Sequence, residues 1–148
     1  MILYCDTSAL LKLYVAEDAS DAVQAQAGSA TALAVCRVAW AEAMAALARR
    51  TRETPSDADA IEAVSASLRA DWPNYAIVEI TQPLVELAGD YADTFALRGY
   101  DSVQLAAARI LQEAASEPLR FACFDGRLNK AAHVLGMQTL DSPTIQSP

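Results

Sequence analysis

The chain opens on an apolar run, Met1-Ile2-Leu3-Tyr4-Cys5, which stops at Asp6 and gives way to a helical pattern from Thr7. An apolar stretch this short, closed by one carboxylate, reads as a buried strand that delivers an acid to the edge of a sheet. The same grammar recurs late in the chain, where Phe121-Ala122-Cys123-Phe124 runs into Asp125-Gly126. The strands predicted in this way cover residues 1–5, 31–35, 75–80, 120–124 and 137–140. Helical patterns lie between them. The first two cover 7–15 and 18–26, and a third covers 38–50, with Arg49 and Arg50 in its last turn where cations suit the dipole. A fourth starts with Thr54 as cap and Pro55 in its first turn, and ends before Trp72-Pro73. A fifth is opened near Pro83 and stops around Gly99, a sixth begins at Asp101, and a seventh covers 127–135 before Gly136. Strands alternating with helices imply an α/β fold, a mostly parallel sheet with helices on both faces. With no long linker and no repeat, residues 1–141 are expected to form one domain and 142–148 a short C-terminal tail.

Four acids stand out against this pattern. Asp6 and Asp125 each follow a strand, and open parallel sheets place ligands beyond the carboxyl ends of their strands. Should those two strands be neighbours, both acids face one crevice; each acid is equally a preferred helix cap. Glu42 is the sole charged side chain from Val38 to Ala48, among Ala39, Trp40, Ala41, Ala43 and Met44. On a buried helix such a carboxylate must be paired, protonated or metal-bound, and otherwise it marks a narrow solvent-facing stripe. Asp101 and Gln104 have the spacing of a capping box, which leaves the second oxygen of Asp101 available to a ligand. Clustered carboxylates repel each other strongly in a low-dielectric setting, and a divalent cation relieves that repulsion. An all-oxygen donor set favours Mg²⁺ or Mn²⁺, and the chemistry such ions serve here is phosphodiester hydrolysis.

Composition narrows the alternatives. The 148 residues are 53% hydrophobic, enough to bury a substantial core. A net charge of −8 argues against an ordinary nucleic-acid binder that relies on a broad basic surface, but not against a nuclease whose cations act locally. Three cysteines without paired spacing read as core-filling thiols. One histidine, His133, rules out multi-histidine metal ligation. The start carries no basic leader and no apolar stretch is long enough to span a bilayer, so a soluble, cytoplasmic protein without membrane association is expected. Ser8 stands where a dehalogenase-type phosphotransferase would need a second aspartate, and no Gly-rich turn follows the first strand as a dinucleotide site requires.

Four segments resemble the motifs of PIN domains, and of the VapC toxins in particular. Asp6-Thr7-Ser8-Ala9-Leu10-Leu11-Lys12-Leu13-Tyr14 resembles the first, and Glu42 with Ala45-Ala46-Leu47-Ala48-Arg49 the second, with Arg37 upstream in keeping. Leu97-Arg98-Gly99-Tyr100-Asp101-Ser102-Val103-Gln104-Leu105-Ala106 resembles the third, and Phe124-Asp125-Gly126-Arg127-Leu128-Asn129-Lys130-Ala131-Ala132 the fourth. Cys36 departs from the serine or threonine often found at its position. The resemblance implies a three-layer α/β/α fold with a five-stranded parallel sheet of order 3-2-1-4-5. It implies a Mg²⁺-dependent endoribonuclease toxin with Asp6, Glu42, Asp101 and Asp125 as its acidic site. Asp6 and Asp101 would ligate metal directly, Glu42 and Asp125 would ligate it or position water, and Ser8 would assist near the metal or phosphate. Arg127 is a candidate contact to RNA phosphate, with solvated helix surface as the alternative. A cognate antitoxin and a homodimer are implied as partners. The competing expectation is a non-catalytic PIN-like module that binds protein.

Overall fold

Strand β1 (Ile2–Cys5) lies at the centre of the sheet, and its residues explain why. Leu3, Tyr4 and Cys5 are all buried, and they divide by alternation: Tyr4 enters one apolar cluster, Leu3 and Cys5 the other. Only a strand covered on both faces tolerates that pattern. β2 (Ala32–Cys36) and β4 (Leu119–Ala122) flank it and alternate in the same way, with Ala34, Cys36 and Phe121 on the Tyr4 side and Val35 and Ala122 on the other. β3 (Ala76–Val78) and β5 (Gln138–Thr139) form the edges, giving five parallel strands in the order β3-β2-β1-β4-β5. This is the predicted order. The structure, a computed structural model, describes residues 1–143. Of the expected tail, residues 144–148 lie outside the described residues.

Seven helices of the described residues cover the two faces. α1 (Thr7–Lys12), α3 (Ala39–Glu53) and α4 (Ala58–Asp71) pack on the Leu3 and Cys5 face through Leu10, Ala43, Leu47 and Leu68, with α2 (Ser20–Ser29) leaning on that side. α5 (Gln82–Phe95), α6 (Gly99–Ala114) and α7 (Gly126–Val134) cover the Tyr4 face through Leu84, Leu105 and Leu128. In α6 a run of buried alanines, Ala106 to Ala108, lets the helix backbone approach the sheet closely. Tyr4 and Phe121, partners across the β1–β4 ladder, stack with ring centroids 5.6 Å apart beneath it.

Three local expectations are corrected. β3 spans three residues, not six, because it pairs only with β2, whose ladder ends at Cys36↔Val78; Ile80 beyond it is exposed. Thr54 makes no side-chain cap: Pro55–Asp57 forms a 3-10 turn first, and α4 starts only at Ala58. α5 ends at Phe95 through Ala96 in the left-handed region (φ 53°), and α6 begins at Gly99, two residues before Asp101. Asp101 therefore lies in the first turn, where it cannot act as the cap of a capping box. The cap position belongs to Arg98, whose side chain makes no capping bond.

The feature that matters for the site is the pairing of β1 with β4. The Asp6 amide extends the ladder by donating to the Ala122 carbonyl (3.1 Å), so both strands end at the same rim.

Candidate functional site

At that rim Asp6 adopts an extended conformation and caps α1. Its Oδ1 accepts from the Ala9 amide (2.9 Å) and from the Ser8 hydroxyl (2.7 Å). The cap reading of Asp6 is thus correct, and it uses one oxygen only. Asp6 is 8% exposed, and burial pushes its carboxyl up to about 6. The hydrogen bonds from Ala9 and Ser8 oppose that rise, and the charges of Asp101 and Glu42 add to it. Asp125 caps α7 in the same manner, with Oδ1 accepting from the Leu128 amide (2.8 Å), but its side chain is exposed.

Glu42 and Asp101 arrive from first turns of helices. Glu42 lies in the first turn of α3, which is amphipathic: Ala41, Ala45 and Ala48 are exposed while Ala39, Ala43 and Leu47 are buried. Glu42 itself is half-buried, and its Oε1 accepts from the Thr7 hydroxyl (2.9 Å) and the Gln104 amide (3.1 Å). Asp101, in the first turn of α6, has its carboxyl raised by burial first and by the Asp125 charge second, against a lowering influence of Arg98. All four acids line a single open cleft of roughly 390 Å³, together with Thr7, Ser8, Leu11, Ala46 and Gln104. Each acid sits at a helix N-terminus, where the macrodipole favours negative charge.

Sequence reasoning missed the polar network behind the acids. Tyr4 is fully buried in β1, and its phenol donates to Gln104 Oε1 (2.6 Å). Burial holds that phenol well above its ordinary pKa, so it remains a donor. With Oε1 committed, the Gln104 amide nitrogen must face the cleft, where it also reaches the Thr7 hydroxyl (3.3 Å). The signal was present in the sequence: Gln104 is a lone amide between Val103 and the apolar run from Leu105 to Ala108.

Other candidates fall elsewhere. Arg127 donates to the Ala96 carbonyl (2.9 Å) and, with Arg98, Asp101 and Asp125, lines an adjoining cleft. Arg37 pairs with Glu79, and Arg50 pairs with Glu17. His133 contacts Thr139 at the edge strand. The three cysteines are buried free thiols, as expected. Trp40 packs edge-on against the buried Trp72 as filler.

The atoms facing the cleft that could ligate a metal are all oxygens, which fits a hard divalent cation and no softer metal. Among the described residues no three His, Cys, Asp or Glu side chains stand close enough, as placed, to surround one ion together. The unengaged oxygens of Asp6 and Asp125 nonetheless leave each cap with a second donor.

A family model for the PIN domain matches residues 3–134, which takes in all four acids and every strand but the last. The chain belongs to the PIN-domain family. Ribonuclease VapC45 of Mycobacterium tuberculosis is similar to this PIN domain, 34% identical over 140 residues that cover 91% of this chain and 92% of that protein. Among solved structures, Mycobacterium tuberculosis VapC20, described as a sarcin–ricin loop cleaving toxin, superposes with a TM-score of 0.61 at 16% identity, covering 87% of this chain and 94% of that one. A toxin–antitoxin complex from Klebsiella pneumoniae gives 0.60 at 17% identity, covering 89% and 90%. At those identities the two structures speak to the fold alone. No helix among the described residues is long and apolar enough to cross a membrane.

Proposed function

We propose that this PIN domain is a metal-dependent endoribonuclease, the toxin of a toxin–antitoxin pair. The observation that carries the reading is the meeting of Asp6, Glu42, Asp101 and Asp125, distant in sequence, around one cleft. The similarity to a protein named as a ribonuclease directs the chemistry toward RNA. Asp6 and Asp101 would hold Mg²⁺ or Mn²⁺, with Glu42 and Asp125 ligating or positioning water. When bound, such an ion supplies a water of lowered pKa and stabilises charge on the phosphate. Glu42, clamped through Oε1 by Thr7 and Gln104, keeps Oε2 for orienting the attacking water. Ser8 fixes the Asp6 carboxylate at the mouth of the cleft. Arg127 contacts substrate phosphate. A protein antitoxin that covers the acidic cleft and a homodimer complete the assembly, in a cytoplasmic setting; the superposition on a toxin–antitoxin complex agrees with the first of these.

The test is cleavage of RNA with and without Mg²⁺ by the unaltered chain, Asp6→Ala and Asp101→Ala. Cleavage by the unaltered chain alone, abolished by chelator, is the expected result. Equal cleavage by all three proteins, or cleavage that persists in excess chelator, defeats the reading.

A further inference from the structure

The acid cleft does not end at Asp101 and Asp125. The same two carboxylates form a wall of a second cleft, of roughly 410 Å³, whose other side is built from Ala96, Leu97, Arg98 and Arg127. A strand held with its reacting phosphate in the first cleft has a continuous path into the second. On the argument that the first cleft binds RNA, we infer that the second is a phosphate subsite in which Arg98 and Arg127 hold a backbone phosphate next to the one being cleaved.

Three observations support this assignment. First, five of the eleven Lys and Arg side chains in this acidic chain are already engaged elsewhere. Lys12 and Arg50 pair with Glu17, Arg37 with Glu79, and Arg109 with Glu113, while Arg120 is buried against carbonyl oxygens. Arg98 and Arg127 form no ion pair among the described residues, and they stand together at the cleft. Second, Arg127 is set in place before any ligand arrives: one nitrogen, Nη1, donates to the Ala96 carbonyl at 2.9 Å, which leaves its other donors for an anion. The Ala96 carbonyl is available because Ala96 takes the left-handed conformation that ends α5 (φ 53°). Third, the charge distribution is directional. Asp101 and Asp125 repel an anion from the shared wall, and Arg98 acts in the opposite sense on Asp101. A phosphate is thereby sent to the arginine side, while the acid side is left to cations. Planar guanidinium forks suit phosphate oxygens.

The experiment measures binding apart from cleavage. A short fluorescein-labelled single-stranded RNA is titrated by anisotropy into the Asp6→Ala chain at several NaCl concentrations. Adding Arg98→Ala or Arg127→Ala is expected to weaken binding several-fold and to reduce the slope of log affinity against log salt by about 0.7 each, the value for one phosphate contact to a single strand. Arg98→Lys keeps the charge and should keep the slope, a result that mere structural damage by Arg98→Ala would not produce. Arg52→Ala, about 15 Å along α3 from Glu42 by helix rise, should leave both quantities unchanged. In the cleavage-competent chain the two alanine variants should raise KM more than they lower kcat. Unchanged slopes in both variants, with RNA still cleaved by the unaltered chain, would overturn the subsite and spare the ribonuclease reading. Absence of RNA binding and cleavage by the unaltered chain would overturn both.

Discussion

Gln104→Leu offers the sharpest probe of how the acid cleft is built. The substitution puts an apolar side chain of similar size at a position only 3% exposed, and it removes three hydrogen bonds at once. The fully buried Tyr4 phenol then loses its acceptor, an orphaned group that costs about 1–3 kcal/mol. The bond to Glu42 is charge-assisted, worth about 1.5–3 kcal/mol when fully enclosed. Glu42 is half-buried and keeps Thr7, so the lower end applies. Allowing for the apolar gain of leucine, a net loss of about 2–3 kcal/mol follows. Tyr4→Phe alone strands the Gln104 Oε1 and should cost about 1–2 kcal/mol. Made together, the two changes leave apolar groups facing each other, so the double variant should lose clearly less than the sum. Urea unfolding of the metal-free chain, read by circular dichroism, gives all three values. A double variant whose loss equals the sum of the singles within about 0.5 kcal/mol would refute the coupled network.

Two further outcomes follow from the electrostatics of the cleft. Asp6 has its carboxyl raised from 3.8 to about 6, so between those pH values the folded chain holds a proton that the unfolded chain has released. Stability therefore falls as pH rises through that window, and the full cost, about 3 kcal/mol at most, is present above pH 6. Asp6→Asn retains an oxygen for the Ala9 amide and should stabilise the metal-free protein at pH 7.5, with most of the gain gone by pH 4; an equal gain at both pH values would refute the argument. Millimolar Mg²⁺ or Mn²⁺ should raise the melting temperature of the unaltered chain at pH 7.5 and leave that of the Asp6→Asn/Asp101→Asn chain unchanged. An equal shift from NaCl of matched ionic strength would show general screening instead of a site.

Most of the fold was legible because the central strands carry apolar residues on both faces, a pattern that only a sheet covered twice can use. Strand order was not legible from that pattern. It followed from the resemblance to PIN domains, since an apolar run does not say which neighbour it pairs with. Asp6 and Asp125 were legible because they interrupt the chain where a strand must end. Gln104 was hidden by its own spacing. Three residues after Asp101 it resembles half of a capping box, and only the true start of α6 at Gly99 shows that both side chains face the cleft instead. The arginine cleft was hidden more deeply, because it joins the end of α5, the start of α6 and the start of α7 across a left-handed turn at Ala96.

The sequence leaves open whether Asp6 and Asp125 serve as cap or ligand; the capping bonds are seen directly, and they are compatible with the ligand role proposed for both. A carboxylate has two oxygens, and Asp6 and Asp125 each spend Oδ1 on a helix amide. That bond fixes the side-chain rotamer, which is what a ligand needs of the remaining oxygen. Capping is therefore the means by which α1 and α7 aim these groups. Glu42 and Asp101 are too far into their helices to cap, and they are placed differently: Glu42 is clamped by Thr7 and Gln104, while Asp101 makes no side-chain bond among the described residues and is set by its turn alone. Helix dipoles of about 0.3–1 kcal/mol per acid favour the charged forms, yet Asp6 remains raised, by burial first and in smaller part by the charges of Asp101 and Glu42. A cleft so arranged is short of positive charge by design of its backbone. Strand ends and helix first turns bring the four acids to one cleft, and on the proposed reading an oxygen-seeking cation is the agent that would bind there.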